Sequence, residues 1–374
     1  MGKRELLLVA LFAVLGVIVY RVSVPPEAPG ERSFSISQLI GNIRREVRGN
    51  RASAERATTT THPVGPGVTE LRLDLQGADI TITGEDRTTV EATFTVQSNG
   101  YDAAEAERLA SESHLKLEDA GASIMGSTDY PEAGRQTSVV VLKVPSRLVV
   151  RLEPTVRELT ISNVAGVELV NSRGETQITK VSGRVAATQR SSQLKISDVG
   201  SVRLTTVGAD ITLEHVRGES GLNVRGGEIR GADLIGPIEL EASGSDIIFE
   251  KLGTTTGTIR INVVNGTLTL RGLRTDGRID ARDAEVAVEI DRAAPLAIYA
   301  QGNDDVVITA PTGGYRLDAA AQEGRVTLPE GSLEVTENGK EQRASGAVRG
   351  GGGTITVRSA RGDIVVKDRP KAEG

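Results

Sequence analysis

The chain has no cysteine and no tryptophan, and only four phenylalanines and five tyrosines among its 374 residues. Without thiols it can build neither a disulfide framework nor a thiolate metal site. Its three histidines, His62, His114 and His215, have no partner at metal-ligand spacing and read as solvated or half-buried side chains. No Gly-x-Ser-x-Gly elbow is present, so no serine nucleophile announces itself. The glycine run at 350–353 lacks the Lys-Ser/Thr and the helix of a phosphate cradle, and reads as a flexible turn. There is no excess of one charge either. The net charge is −6 with both signs interspersed, which argues against a nucleic-acid surface. Few aromatics also means few platforms for sugar rings, which leaves a polysaccharide-active β-helix enzyme as the weakest of the functional readings. No cofactor is expected.

Glycine, at 43 residues, is abundant. So is a six-residue phrase, apolar-x-apolar-x-x-apolar, recurring every 17 to 21 residues. It reads Leu159/Ile161/Val164, Thr176/Ile178/Val181, Leu194/Ile196/Val199, Ile211/Leu213/Val216, Ile229/Gly231/Leu234, Ile247/Phe249/Leu252 and Leu268/Leu270/Leu273. Second alternating runs lie between copies, such as Val202/Leu204 and Ile259/Ile261. A fixed period of this size signals a stacked array, and two period-two runs per repeat mean two short strands per coil. One coil is too thin to bury its own apolar face, so neighbours must share a core. The expected fold is all-β: a β-solenoid with an irregular β cap containing one short helix, preceded by a single N-terminal transmembrane helix.

The transmembrane expectation rests on the apolar run 6–20, extended to residue 24 if Arg21 snorkels to the interface. Leu6, Leu11, Leu15, Tyr20 and Arg21 mark this anchor. Lys3 and Arg4 would hold residues 1–5 in the cytoplasm and send the rest outward, into a periplasm if the host has two membranes. A cleaved signal peptide is the competing reading, although the best cleavage candidate, Ala28-Pro29-Gly30, lies well past the apolar core. Residues 25–67 read as a linker. Within it, 35–51 has helical spacing with Arg44, Arg45, Arg48 and Arg51 alongside, which suits either an interfacial helix or one packed on the solenoid end. The Thr-rich stretch 52–66 reads as a flexible spacer.

Residues 68–152 are expected to form the cap, with a helix over 102–113 N-capped by Asp102 and a loop over 121–136. The coils should occupy 153–336, a loop 337–353, a terminal coil 354–368 and a tail 369–374. One polar feature recurs: Asp79, Asp210, Asp246 and Asp363 each precede an apolar position in Gly-x-Asp-Ile or Gly-Asp-Ile. A carboxylate row could bind calcium, but Glu158, Gln193, Glu228 and Thr267 fill the same slot elsewhere. Turn closure through backbone N–H groups is the reading adopted, with no metal site.

The order of parts is an anchor, an opening Gly-Ala-Asp-Ile, the exit Leu142-Lys143-Val144-Pro145, the strand Leu148-Val149-Val150-Arg151-Leu152 and Gly-punctuated repeats. The chain then closes on Gly-Gly-Thr-Ile-Thr-Val-Arg-Ser-Ala-Arg-Gly-Asp-Ile-Val-Val. Over roughly 68–367 this resembles the bacterial β-strand-repeat family of domains of unknown function often labelled "putative adhesins". The resemblance implies a β-helix-like fold, an envelope location and no catalytic residues to carry over. The expected role is a membrane-anchored, extracytoplasmic, non-catalytic binding or scaffold module with a protein, peptide or glycan partner and no nucleic acid. An envelope-stress sensor is the alternative, since some relatives are linked to such signalling.

Overall fold

The computed structural model describes residues 52–369 apart from 76, 133 and 154–156. The six-residue phrase is one arc of chain. In Leu159-Thr160-Ile161-Ser162-Asn163-Val164, alternation points Leu159 and Ile161 inward and would point Val164 out. Asn163 instead takes φ 58°, which swings the chain around the edge and returns Val164 to the core at 1% exposure. Every copy repeats the device: Lys180, Asp198, His215, Asp233, Lys251 and Gly272 occupy the same slot with φ between 52° and 79°. The x-x of the phrase is therefore a left-handed residue preceded by an outward one. Each arc places apolar side chains at zero to a few per cent exposure, each stabilising by ~1.5–3 kcal/mol relative to an exposed position.

Successive arcs stack as parallel ladders. In the first ladder Val167 lies on Val185, Val185 on Val202 and Leu204 on Leu222. In the second Ile178 lies on Ile196, Ile196 on Leu213, Ile229 on Ile247 and Ile247 on Leu268. Apolar residues thus sit on apolar residues through one continuous core. The all-β, solenoid-like fold is as the repeat implied. In several rungs, however, the two expected short strands are one long strand bent through a corner, as in Gly166–Thr179, Arg184–Val199, Ser220–Leu234 and Gly277–Ile290.

The other corner is a column of glycines with ordinary φ. A Cβ on Gly200 would lie 2.5 Å from Gly183 O, one on Gly218 2.7 Å from Gly200 O, and one on Gly236 2.3 Å from the Gly218 carbonyl. Close approach of successive backbones, rather than positive φ, demands glycine here.

Chain order and spatial order part company at both ends. The rung of Glu70–Asp74 and Ala78–Glu85 lies between the rung of Ser123–Asp129 and Gln136–Pro145 and the rung of Val149–Leu152 and Glu158–Ser162. At the other end, Thr354–Ser359 and Ile364–Lys367 lie between the rung of Leu296–Gln301 and Val306–Thr309 and the rung of Tyr315–Ala321 and Val326–Thr327. The segment expected to close the stack as its terminal coil is thus an inner rung. Both its faces are occupied, with Ile355, Val357, Ile364 and Val366 at 0–2% exposure.

Antiparallel strands cover the ends of the stack, where an open rung would expose strand edges. Thr89–Gly100 pairs with Gln136–Pro145, and Ala52–Pro63 pairs with Thr89–Gly100. Residues 52–63, expected as a flexible spacer, therefore form a strand: a run of β-branched threonines suits a pleated edge once a partner is present. Helix α1, Ala103–Glu112, packs on these two strands through Ala106, Leu109 and Ala110. Its N-cap is the expected Asp102, which accepts from Glu105 N at 2.9 Å, while Glu105 Oε2 accepts from Tyr101 N at 2.7 Å. The expected loop 121–136 contains strand Ser123–Asp129, paired with His114–Ala120 and Glu70–Asp74. The expected loop 337–353 contains Glu341–Val348, which covers Tyr315–Ala321 and turns back on Thr336–Asn338. Among the described residues no helix is long and apolar enough to cross a membrane. The proposed anchor, including Leu6, Leu11, Leu15, Tyr20 and Arg21, lies outside the described residues.

Candidate functional site

The four aspartates singled out by their motif share one column, at the start of the second ladder. Their oxygens reach neighbouring rungs. Asp210 Oδ1 accepts from Glu228 N at 3.1 Å, and Asp363 Oδ1 from Arg325 N at 2.8 Å. Asp363 N itself donates to Asp305 Oδ1 at 2.8 Å. Asp246 Oδ1 accepts from the Thr267 hydroxyl at 2.9 Å, and Asp79 Oδ2 from Arg157 Nη2 at 2.8 Å. These carboxylates stitch one rung to the next. Glu158, Glu175 and Gln193 continue the column between Asp79 and Asp210, with a shallow cavity of ≈ 340 Å³ beside them. Among the described residues no group of three His, Asp or Glu could hold a metal ion.

The histidines are dispersed. His62 Nε2 lies 3.0 Å from Asp119 Oδ1 in the N-terminal cap. His215 occupies a left-handed corner slot with Nε2 3.4 Å from Asp233 Oδ2, and His114 begins the strand His114–Ala120. They share no site.

The most varied surface chemistry gathers around Tyr299. Strand alternation turns Leu296, Ile298 and Ala300 inward and leaves Tyr299 outward. The Arg278 guanidinium stacks over its ring, 4.5 Å from the centroid, while donating through Nε and Nη2 to Asp280 at 2.7 and 2.8 Å. Tyr299 has Asp280 as its register partner on one side and Arg358 on the other. Arg358 Nη2 donates to Asp318 Oδ2 at 2.5 Å, and Arg343 Nη2 to Asp318 Oδ1 at 3.2 Å. The hydrogen bond from Arg358, aided by Arg343, outweighs burial and holds the Asp318 carboxyl below its usual range. Hydrogen bonding to Asp280 likewise raises the Arg278 pKa.

Two cavities meet at Tyr299 and Gln301. One of ≈ 290 Å³ is lined by Asn262, Arg278, Asp280 and Arg282. The other, ≈ 590 Å³, is lined by Gln322, Glu341, Arg358 and Arg361. Arg282 and Arg361 have no carboxylate partner among the described residues, so each presents a free guanidinium to the groove. An aromatic surface between amides and unpaired guanidinium groups can stack a ring and donate hydrogen bonds to an anionic or hydroxyl-rich ligand. The outward position of Tyr299 was open to sequence reasoning through the alternation. Its meeting with Arg358 and Arg361 was not, because that depends on the displaced last rung.

Three crystal structures are similar to this chain. A "putative adhesin" from Parabacteroides merdae has 10% identity and a TM-score of 0.35, covering 84% of this chain and 97% of that one. A "putative adhesin" from Bacteroides fragilis has 8% identity and a TM-score of 0.25, covering 83% and 97%. A "putative cell adhesion protein" from Clostridium sporogenes has 9% identity and a TM-score of 0.19, covering 84% and 100%. No curated protein matches the chain. The family model described as Toastrack DUF4097 matches residues 68–367, from just before the first rung to the end of the inserted one, and the chain belongs to that family.

Proposed function

We propose that the protein is a non-catalytic binding module, tethered to the membrane by residues 6–24 and displayed on the extracytoplasmic side, with the groove at Tyr299 as its docking position. The observation that carries this reading is the groove itself. A half-buried tyrosine sits between two cavities, with Arg282 and Arg361 uncommitted to any carboxylate among the described residues. The rigid parallel stack supports it, since a preorganised face costs little ordering on binding. The favoured ligand is a glycan or peptide that carries an acidic group.

The test is capture of envelope glycans and peptides on the purified chain, compared with Tyr299→Ala and Arg361→Ala. Loss of at least tenfold in retention in both variants, with melting temperature unchanged, is expected. Equal retention by parent and variants would move docking elsewhere on the ladders, and no retained ligand at all would sink the binding reading.

A further inference from the structure

We propose that the last rung is exchangeable between copies of this chain: the slot between Leu296–Thr309 and Tyr315–Thr327 accepts residues 354–367 of a second copy as readily as its own. The argument begins with topology. The segment carries the last two strands among the described residues, yet it fills an inner position, paired on both sides in both ladders. While the chain is being made, Tyr315–Ala321 and its cover Glu341–Val348 exist before the segment that must separate them from Leu296–Gln301. The slot stands open until residues 354–367 arrive. During that interval two parallel strand edges and the apolar faces of Ile298, Ile308, Leu317 and Ala319 await a partner.

The connection has the character of a hinge. It runs Arg349-Gly350-Gly351-Gly352-Gly353, with φ of 51°, 88° and 81° at the first three positions. Consecutive glycines can redirect the chain without a steric penalty. The run has no ligand-binding context, and a hinge gives it a physical role. Gly352 and Gly353 also lie against backbone: a Cβ would come 2.3 Å from Gly314 O and 2.7 Å from the Ala293 carbonyl. The hinge therefore threads a narrow gap between the segments it parts.

The slot is selective. It demands two short strands in the order apolar-x-apolar, a turn, apolar-x-apolar. It also demands Asp363, whose N–H meets Asp305 and whose carboxylate receives Arg325 N, and Arg358, which meets Asp318. A second copy supplies all of these identically. That makes reciprocal exchange a low-cost route to a dimer in which each contact survives. Arg358 and Arg361 line the Tyr299 groove, so in the exchanged dimer each groove is completed by the other chain. The inference does not depend on what the groove binds.

The absence of cysteine makes the test direct. Ala297 and Thr356 are register partners across the boundary of the slot and both face outward. The full-length chain carrying Ala297→Cys and Thr356→Cys is unfolded, refolded over a range of concentrations in detergent and oxidised with diamide. Exchange predicts a disulfide-linked dimer on non-reducing gels, rising at least fivefold from the lowest to the highest concentration. Deleting Gly351 and Gly352 should raise the linked dimer further, because a short hinge cannot fold back, and inserting two glycines should lower it. Intramolecular disulfide alone at every concentration overturns the proposal, as does a dimer that forms without the intermolecular bond. Should the shortened hinge prevent folding, the concentration series on the unshortened chain decides.

Discussion

At the residue scale, the stack is governed by complementarity between adjacent rungs. The repeat has one glycine at an inward position of the phrase, Gly231, and one aromatic, Phe249. They are register partners. A Cβ on Gly231 would stand 2.7 Å from Phe249 Cδ1, so the ring occupies the space the glycine leaves. Gly231→Val should destabilise by about 1–3 kcal/mol through overpacking, and Gly231→Val with Phe249→Leu should recover most of that loss. Urea unfolding of the two singles and the double measures the coupling; additive losses would refute it. A polar pair obeys the same logic. Thr176, which stands where other phrases carry an aliphatic residue, accepts from Gln189 Nε2 at 3.1 Å, and Ser192 Oγ donates to Gln189 Oε1 at 2.8 Å. The buried hydroxyl is satisfied within the core, which lets it replace an aliphatic side chain there.

At the scale of the element, ion pairs fasten the inserted rung. Arg358 on Thr354–Ser359 meets Asp318 on Tyr315–Ala321, and Arg369, just beyond Ile364–Lys367, meets Glu289 on Gly277–Ile290 and Asp291 just after it. Burial would raise the Asp291 pKa, but hydrogen bonds from Arg369 and Arg274 outweigh it and lower the value. Both aspartates thus have depressed folded pKa values. Such groups stabilise the fold above the ordinary carboxylate pKa of about 4, and that contribution disappears as pH falls through the depressed folded value. Asp318→Asn should speed hydrogen exchange across residues 354–359 at pH 7. Thermal unfolding of parent and variant should then converge once the pH falls below the depressed folded value, where the parent carboxylate is protonated too. A difference that persists undiminished at low pH would assign the loss to packing instead.

For the whole molecule, a stack in which each rung touches mainly its neighbours has stability distributed along its axis, with the ends most exposed to fraying. The N-terminal end is held by α1, whose Leu109 is fully buried against the cap strands. Leu109→Asp should detach the helix and raise exchange in Ala52–Pro63 and Thr89–Gly100, while the rungs from Ser220–Leu234 onward keep their protection. Uniform loss of protection in exchange mass spectrometry would show that the stack unfolds as one cooperative unit. The cost of a buried carboxylate without a partner makes the helix the element that yields.

The repeat phrase was sufficient to establish an all-β stack with a shared core, because inward-facing residues at a fixed period admit few other solutions. The capped helix Ala103–Glu112 was also legible, through Asp102 and the Ala- and Glu-rich turn after it. Positive φ at Lys180, His215 and Lys251 was not, since nothing local favours it; the need to bring Val181, Val216 and Leu252 back to the core imposes it. The strand at residues 52–63 was hidden for a related reason: a polar threonine run becomes a strand only where Thr89–Gly100 offers an edge. Least legible was the order of rungs at each end. Every rung presents the same apolar alternation to its neighbours, so pairing strength along the chain scarcely distinguishes one neighbour from another. Only the three-dimensional arrangement, with its antiparallel covers, its glycine hinge and specific contacts such as Asp305 to Asp363, decides that the last segment goes inside and thereby builds the groove at Tyr299.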